Sequence, residues 1–321
     1  MSLRVALTVL LSACALNALA AENYPSKPIR IIVPYPPGGP SDMQGRLFGA
    51  KLAEAWGQTS VVDNRGGGSG IIGTEMAARA DADGHTLIIM SGTNAVQPAL
   101  YPKLPYDLTR DFAFITQITS GPGILVVNPA LPIKSVPEFI AYARARPGQV
   151  TFGSAGSGAP SHLAVELLKT MAKIDVVHIP YKGMAPALTD AIGGQIQFSL
   201  PTIAAGLPLA RAGKLRALAV TGERRSPAEP SLPTIAEAAL PGYQASNWYG
   251  FAAPAKTPRE IVEKVNADMN RMFNLPEVKE RLAAGGADVM ANMTPAQFGQ
   301  FVRSEIEKNR KIIQASGVKA E

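Results

Sequence analysis

The sequence predicts an α/β fold with largely parallel sheets, and two observations support this. Short apolar segments alternate with amphipathic ones from Tyr24 onward, and helix-start signals follow several of the short segments. No internal apolar run is long enough to span a membrane. The 321 residues, 46% hydrophobic and 17% charged, suffice for one large or two medium domains. Strands are predicted at Ile29–Val33, Ser60–Val62, Thr86–Met90, Ile124–Val127, Val176–Ile179 and Leu215–Val220.

The amphipathic segments carry recognisable helix boundaries. Apolar residues between Met43 and Trp56 recur at helical spacing, and Gly57 then ends the pattern as a C-terminal cap would. Two later segments, residues 257–260 and 294–297, each combine a capping Thr, Pro at the first helical position and Glu or Gln three residues after the Thr. Each predicts the start of a long helix packed on a sheet.

The N-terminal segment has the features of an export signal. Arg4 precedes an apolar stretch over residues 5–16, and Ala18-Leu19-Ala20 places small residues where a signal peptidase cleaves. We therefore predict a signal peptide over residues 1–20 and a periplasmic protein. The segment Leu11-Ser12-Ala13-Cys14 also matches a lipoprotein processing box, so a membrane-anchored form carrying a lipid on Cys14 is the alternative.

Composition argues against several classes of function. The 31 basic and 25 acidic residues are scattered along the chain, which does not indicate a nucleic-acid-binding surface. Cys14 is the only cysteine and lies within the predicted signal, and the three histidines form no cluster with carboxylates along the sequence. We therefore expect neither a metal site nor a cofactor.

A glycine-rich segment at residues 68–73 matches G-x-G-x-x-G, the pattern of a dinucleotide-binding turn. The next predicted strand ends in Ser91-Gly92 and lacks the acidic residue that would bind the ribose hydroxyls, so we reject a dinucleotide site. The sequence also contains neither a phosphate-binding P-loop nor a G-x-S-x-G nucleophile elbow.

Two loops of small, uncharged residues are the strongest candidates for a binding site. Residues 34–42 and 153–161 each lie between a predicted strand and a predicted helix. Such a loop exposes unpaired backbone N–H groups in front of the positive end of a helix dipole, an arrangement that binds anions without a cationic side chain. A helix start capped by Ser41 or Asp42 is the structural alternative for the first loop. Residues 91–94 form a weaker third candidate.

His162 is the only histidine with a candidate functional role. It lies in the first turn of a predicted helix beside Ser157 and Ser161, whereas His178 falls in an apolar strand and is interpreted as structural. A hydrolase or lyase on this scaffold would need a base near Ser154, Ser157 or Tyr35, and His162 is the local candidate.

Seven segments together resemble the extracytoplasmic receptors of the tripartite tricarboxylate transporter family. They cover essentially the whole chain after the predicted signal, in the family's order. The segments are residues 24–30, 36–42 with their Pro-Pro-Gly-Gly sequence, 62–65, 99–107, 153–163, 178–183 and 213–221.

The resemblance implies a two-lobe, type II-like periplasmic-binding-protein fold. Each lobe would be a mostly parallel sheet flanked by helices. Lobe one would comprise residues 22–122 and 246–321, and lobe two residues 123–245, with crossovers at Ile124–Val127 and Asn247–Phe251. It further implies that one carboxylate of the ligand is held by the first loop and by residues 154–157, partly through water.

One segment departs from the family. After Gly193-Gly194-Gln195, where many members have acidic residues, this chain has Pro201 followed by Thr202. The change argues against an amino-acid ligand, and Thr202 is expected to supply a hydroxyl instead. The candidate ligand-binding residues are Tyr35, Gly38, Gly39, Ser41, Asp42, Thr93, Ser154, Ala155, Gly156, Ser157, His162 and Thr202.

The leading hypothesis is a monomeric, non-enzymatic solute-binding protein that captures a small organic acid and delivers it to the membrane permease subunits of a tripartite carrier. A receptor that reports the ligand to a signalling system is the first alternative, and a hydrolase is the second.

Overall fold

The structure, a computed structural model, describes residues 24–284, 288–289 and 292–318. The predicted signal peptide, with Cys14, lies outside the described residues. None of the helices in the described part of the chain is both long and apolar enough to cross a membrane.

The described strands form two sheets. The first has the order β11-β4-β10-β3-β1-β2 and the second the order β7-β6-β8-β5-β9. The strands are β1 (Ile29–Val33), β2 (Ser60–Asn64), β3 (Thr86–Ser91), β4 (Phe112–Pro122), β5 (Ile124–Val127), β6 (Val150–Ser154), β7 (Val176–Pro180), β8 (Phe198–Ser199), β9 (Arg216–Val220), β10 (Ser246–Pro254) and β11 (Asp288–Val289).

Helices cover both sheets. They are α1 (Pro40–Trp56), α2 (Ile71–Ala78), α3 (Gly92–Leu100), α4 (Val136–Arg144), α5 (Pro160–Ala172), α6 (Met184–Gly193), α7 (Ile203–Arg211), α8 (Ile235–Ala238), α9 (Arg259–Met272), α10 (Pro276–Ala284) and α11 (Pro295–Ser316), with a 3₁₀ turn at Gly68–Gly70.

The two-lobed α/β class is confirmed, but the sheets are mixed, which corrects the prediction of mostly parallel ones. In the first sheet β1 pairs in parallel with β2 and β3, whereas β10 pairs antiparallel with both β3 and β4. In the second sheet β6 pairs in parallel with β7 and β8, and β5 pairs antiparallel with β8 and β9. The chain leaves the first sheet through β4 and returns through β10, and outgoing and returning strands necessarily run in opposite directions.

The local helix signals are mostly confirmed. α1 ends at Gly57 in the left-handed conformation, and Thr294 caps α11 through the N–H of Gln297. The other predicted start is displaced by one residue, since Pro258 is the N-cap of α9 and the hydroxyl of Thr257 is buried without a hydrogen-bond partner.

Burial on both faces explains the continuous apolar sequence of β1. Ile31 and Val33 belong to the core under α1 with Phe48, while Ile32 lies in the opposite core beside Trp248. A strand covered by helices on both faces needs apolar residues at consecutive positions.

A smaller apolar cluster joins the two sheet layers. Val96 and Leu100 of α3 pack with Leu163 of α5 and with Ile312 and Ile313 of α11. The helices over the first sheet therefore touch a helix that starts from the second, beside the space between the sheets.

Candidate functional site

The first predicted loop is a tight turn fixed by a buried carboxylate. Gly38 has φ +86°, in the left-handed region that glycine tolerates, and its N–H donates to Asp42 Oδ2 at 3.0 Å. Arg46 Nε donates to the same oxygen at 3.1 Å. This bond to Arg46 is the main reason that the pKa of Asp42 lies below its usual value. Asp42 therefore positions the turn and does not line the cavity described below.

The helix after this turn starts without a side-chain cap. Gly39 occupies the N-cap position of α1, contributes no side-chain acceptor, and is followed by Pro40. The first-turn N–H groups of Ser41 and Asp42 consequently lack a side-chain partner, as expected of a site that accepts an anion.

More backbone N–H groups of the second loop are hydrogen-bonded to neighbouring side chains than predicted. The N–H of Ala155 donates to Ser161 Oγ at 3.1 Å, and that of Gly156 donates to Ser154 Oγ at 3.1 Å. The N–H of Gly158 donates to His162 Nδ1 at 3.1 Å. The prediction that these N–H groups are free is thus wrong, because neighbouring hydroxyl and imidazole groups accept from them. The uncapped N-terminus of α5, whose N-cap is Ala159, remains the anion-attracting feature of this loop.

A buried polar chain supports the second loop from behind. Ser154 Oγ lies 2.6 Å from His178 Nε2, and the ring of His178 stacks on that of His162 with centroids 3.7 Å apart. His162 Nε2 is 3.6 Å from the carboxylate of Glu166, which also binds Lys169 at 2.9 Å. His162 is 4% exposed and Ser154 is fully buried, so both act as supports of the loop.

A cavity of about 740 Å³ lies between the two loops. Its wall includes Ser91, Asn247 and Tyr249 from strands of the first sheet, together with residues from the loops that follow β6 and β7 of the second. The predicted residues in its wall are Tyr35, Gly39, Ser41, Thr93, Ala155, Gly156 and Ser157.

A neighbouring cavity of about 620 Å³ continues this space and shares Pro40, Ala155, Asn247 and Tyr249 with it. Its wall includes the predicted Gly38 and Thr202, together with Pro201. Three predicted residues line neither cavity, namely Asp42, Ser154 and His162.

Two further helices start at these cavities without a side-chain cap. The N-cap of α6 is Gly183 and that of α7 is Thr202. Gly183 lines the larger cavity, and Thr202 lines the smaller one. With α1 and α5, four helix N-termini without a side-chain cap lie at these two adjoining cavities.

Sequence reasoning missed several wall residues. Asn247 Nδ2 donates to the hydroxyl of Tyr249 at 2.8 Å, and Asn247 Oδ1 is buried without a hydrogen-bond partner. Ser69, from the rejected glycine-rich motif, has φ +54° and lines the larger cavity. The sequence offered two signals for these wall residues: a polar residue after Gly, and polar residues in a crossover strand. Neither pattern specifies which way a side chain faces.

Charge in the larger cavity is sparse. Among the described residues that line it, Lys182 is the one charged side chain and no acidic side chain is present. Burial raises the pKa of Tyr35 and of Tyr249, so both hydroxyls stay protonated and can donate hydrogen bonds at neutral pH. The smaller cavity adds Glu305 and Lys308, which pair with each other at 3.4 Å.

Curated relatives match the chain over nearly its whole length. A UPF0065 protein from the tcbD-tcbE intergenic region of Pseudomonas sp. (strain P51) is 38% identical over 298 residues, which cover 92% of this chain and 88% of the relative. Protein BugT of Bordetella pertussis is 36% identical over 303 residues, covering 94% and 93% respectively.

Solved structures similar to this chain also match it over nearly its whole length. R. palustris Rpa4515 with adipate has a TM-score of 0.83 and 36% identity, and the match covers 92% of this chain and 99% of that one. MatC from Rhodopseudomonas palustris with bound malate has a TM-score of 0.79 and 32% identity, covering 90% and 100%. The profile of the tripartite tricarboxylate transporter family receptor matches residues 45–318. The chain therefore belongs to the receptor family of the tripartite tricarboxylate transporters.

Proposed function

We propose that this protein is an extracytoplasmic receptor that binds a small organic carboxylate between its lobes and presents it to the permease subunits of a tripartite carrier. The observation that carries the proposal is the convergence of four uncapped helix N-termini on one cleft. Each N-terminus stabilises a nearby anion by roughly 0.3–1 kcal/mol, and more when water is excluded. The similar structures with adipate and malate support the same ligand chemistry.

The proposed lobes are residues 22–122 with 246–321, and residues 123–245. Strands β4 and β5 are separated by one residue, Gly123, and β10 begins at Ser246, so the chain would cross between the lobes at these two places. Register irregularities in the β4–β10 ladder at Tyr249/Gly250 and Phe251/Ala252 lie close to this crossing. Closure about the crossover strands would surround the ligand and exclude water.

We infer binding without chemistry. The pair Ser154 Oγ and His178 Nε2, at 2.6 Å, has the spacing of a nucleophile and its base. However, Ser154 is fully buried and outside both cavities, so a ligand in the cleft does not reach its hydroxyl. His162 is likewise buried and lines neither cavity, so it is not placed to act as a general base on such a ligand.

A thermal-shift screen over mono-, di- and tricarboxylates tests the proposal. A ligand at about a hundred times its Kd stabilises the protein by roughly 2.7 kcal/mol, which raises the melting temperature measurably. Recovery of that acid unchanged after long incubation supports a receptor. An unchanged melting temperature with all three classes of acid contradicts the proposal. Conversion of the acid to a new product would favour the hydrolase.

A further inference from the structure

The larger cavity contains a cation, Lys182, for which the described part of the chain offers no partner. Lys182 is exposed, lines the cavity and makes no ion pair or side-chain hydrogen bond with the residues that the structure describes. The acid on the adjoining helix, Asp190, is already engaged by the hydroxyl of Tyr181 at 2.6 Å. The described cavity wall itself contains no acidic side chain to neutralise the ammonium.

The backbone around Lys182 is held against the second loop. The N–H of Tyr181 donates to the carbonyl of Ser154 at 3.3 Å, and the carbonyl of Tyr181 lies 3.4 Å from where a Cβ on Gly156 would be. On the other side, Gly183 is the N-cap of α6. The base of the lysine side chain is therefore fixed, while its four-carbon stem is free to move.

Lys182 lies on the chain segment of the second sheet, whereas α1 and its uncapped N-terminus follow β1 of the first sheet. A ligand with one carboxylate can occupy the neutral donors between the loops without using the ammonium. For a ligand with a second carboxylate, the same cavity offers the ammonium as a partner and the apolar side chains of Val96 and Leu100 as a wall for the carbon chain.

Resting on the proposed function, we propose that Lys182 is the residue that selects for a second negative charge on the ligand. A lysine ammonium is a point charge on a flexible stem, unlike the rigid fork of arginine. It can follow the distal carboxylate of acids of different length. Lys182 therefore discriminates dianions from monoanions while tolerating variation in chain length.

The test compares adipate with its monomethyl ester, which keeps the carbon chain and one carboxylate but loses the second charge. Calorimetric titrations at pH 7.5 and low salt would use the wild type, Lys182→Gln and Lys182→Arg. Lys214→Gln is the matched control, because Lys214 is also exposed and lines neither cavity.

We expect Lys182→Gln to weaken adipate binding by about tenfold, the lower end for a charge-assisted hydrogen bond because the ammonium is exposed to solvent. Binding of the monoester should be unchanged, Lys182→Arg should restore most of the adipate affinity, and Lys214→Gln should behave as wild type. Added salt should weaken adipate binding more in the wild type than in Lys182→Gln.

The outcomes separate this inference from the function on which it rests. Equal affinity of the wild type for adipate and its monoester, or adipate binding that is unaffected by Lys182→Gln, would overturn the role of Lys182 and leave a carboxylate receptor. Failure of the wild type to bind any acid in the wider screen would overturn the receptor itself. Unfolding curves of Lys182→Gln should match the wild type, since the side chain has no described partner to lose.

Discussion

Gly39→Val is the sharpest steric test of the cleft. Gly39 has φ −82° and ψ 172°, extended backbone that valine readily adopts, and a Cβ built on it meets no atom within 4 Å. The added side chain would enter the cavity in front of α1. Because no contact is strained, we expect the free energy of unfolding to change by no more than about 0.5 kcal/mol, with a melting temperature within about 2 °C of wild type.

The effect on binding should be large. A hydrogen bond to a charged group contributes about 1.5–3 kcal/mol, so loss of one backbone contact with the carboxylate weakens binding roughly 10- to 150-fold. Calorimetry with the best acid from the screen measures this, and Gly39→Ala should give an intermediate loss. Gly193→Val is the control, because its Cβ also meets open space and Gly193 lines neither cavity. Wild-type affinity in Gly39→Val would remove the first loop from the site.

Three further predictions concern the support of the site and its selectivity. His162→Phe keeps a ring stacked on His178 but leaves the N–H of Gly158 without its acceptor. The unfolding free energy measured by denaturant titration should therefore fall by about 1–3 kcal/mol, while carboxylate affinity changes little. Abolished binding at unchanged stability would instead make His162 a ligand contact. Burial would raise the pKa of Glu166, but bonds from His162 and Lys169 lower it below the ordinary value of 4.5. A lowered pKa in the folded state means that the carboxylate stabilises the protein above about pH 4.5 and that this contribution is lost as pH falls further. Glu166→Gln should therefore reduce the fall in unfolding free energy below that pH. If the unfolding free energies of the variant and the wild type fall in parallel with pH, other groups cause the fall. Glutarate should bind more tightly than glutamate of equal chain length, because the described wall of the larger cavity has no acid for the ammonium; calorimetry showing glutamate tighter would refute this.

The positions of the secondary-structure elements were largely readable from local chemistry. Strands Ile29–Val33 and Ile124–Val127 have their predicted bounds, since buried β-branched runs between turn residues have few alternatives. The long strands β4 and β10 were not delimited by pattern, because they mix polar and apolar residues as they pass from one environment to another. The limits assigned to the lobes stay a prediction.

The wall of the candidate site was predicted in part, and the residues that were missed share a cause. Sequence reasoning found both loops because strand, glycine and helix start follow one another along the chain. It treated Gly39 and Gly156 alike, yet Gly156 has φ +129°, so a valine there would strain the loop as well as block the ligand. Lys182, Asn247 and Tyr249 reach the cleft through tertiary packing, which no local pattern records.

The distribution of donors between the lobes bears on how binding could drive closure. A ligand shifts a conformational equilibrium only by its difference in affinity for the two states. Here α1 belongs to the first sheet's layer, while α5, α6 and α7 follow strands of the second. On the proposed mechanism a carboxylate in an open cleft would meet one lobe's donors, and closure would add those of the other.

The energies suit a reversible receptor. Three added helix N-termini at roughly 0.3–1 kcal/mol each give about 1–3 kcal/mol of preference for closure, or a population shift of roughly five- to 150-fold. An arginine in place of Lys182 would hold a carboxylate through a rigid bidentate fork, whereas the lysine ammonium is a single charge on a flexible stem. On the proposed function, neutral backbone donors with a flexible cation in the larger cavity fit a receptor that both captures its ligand and releases it to a carrier.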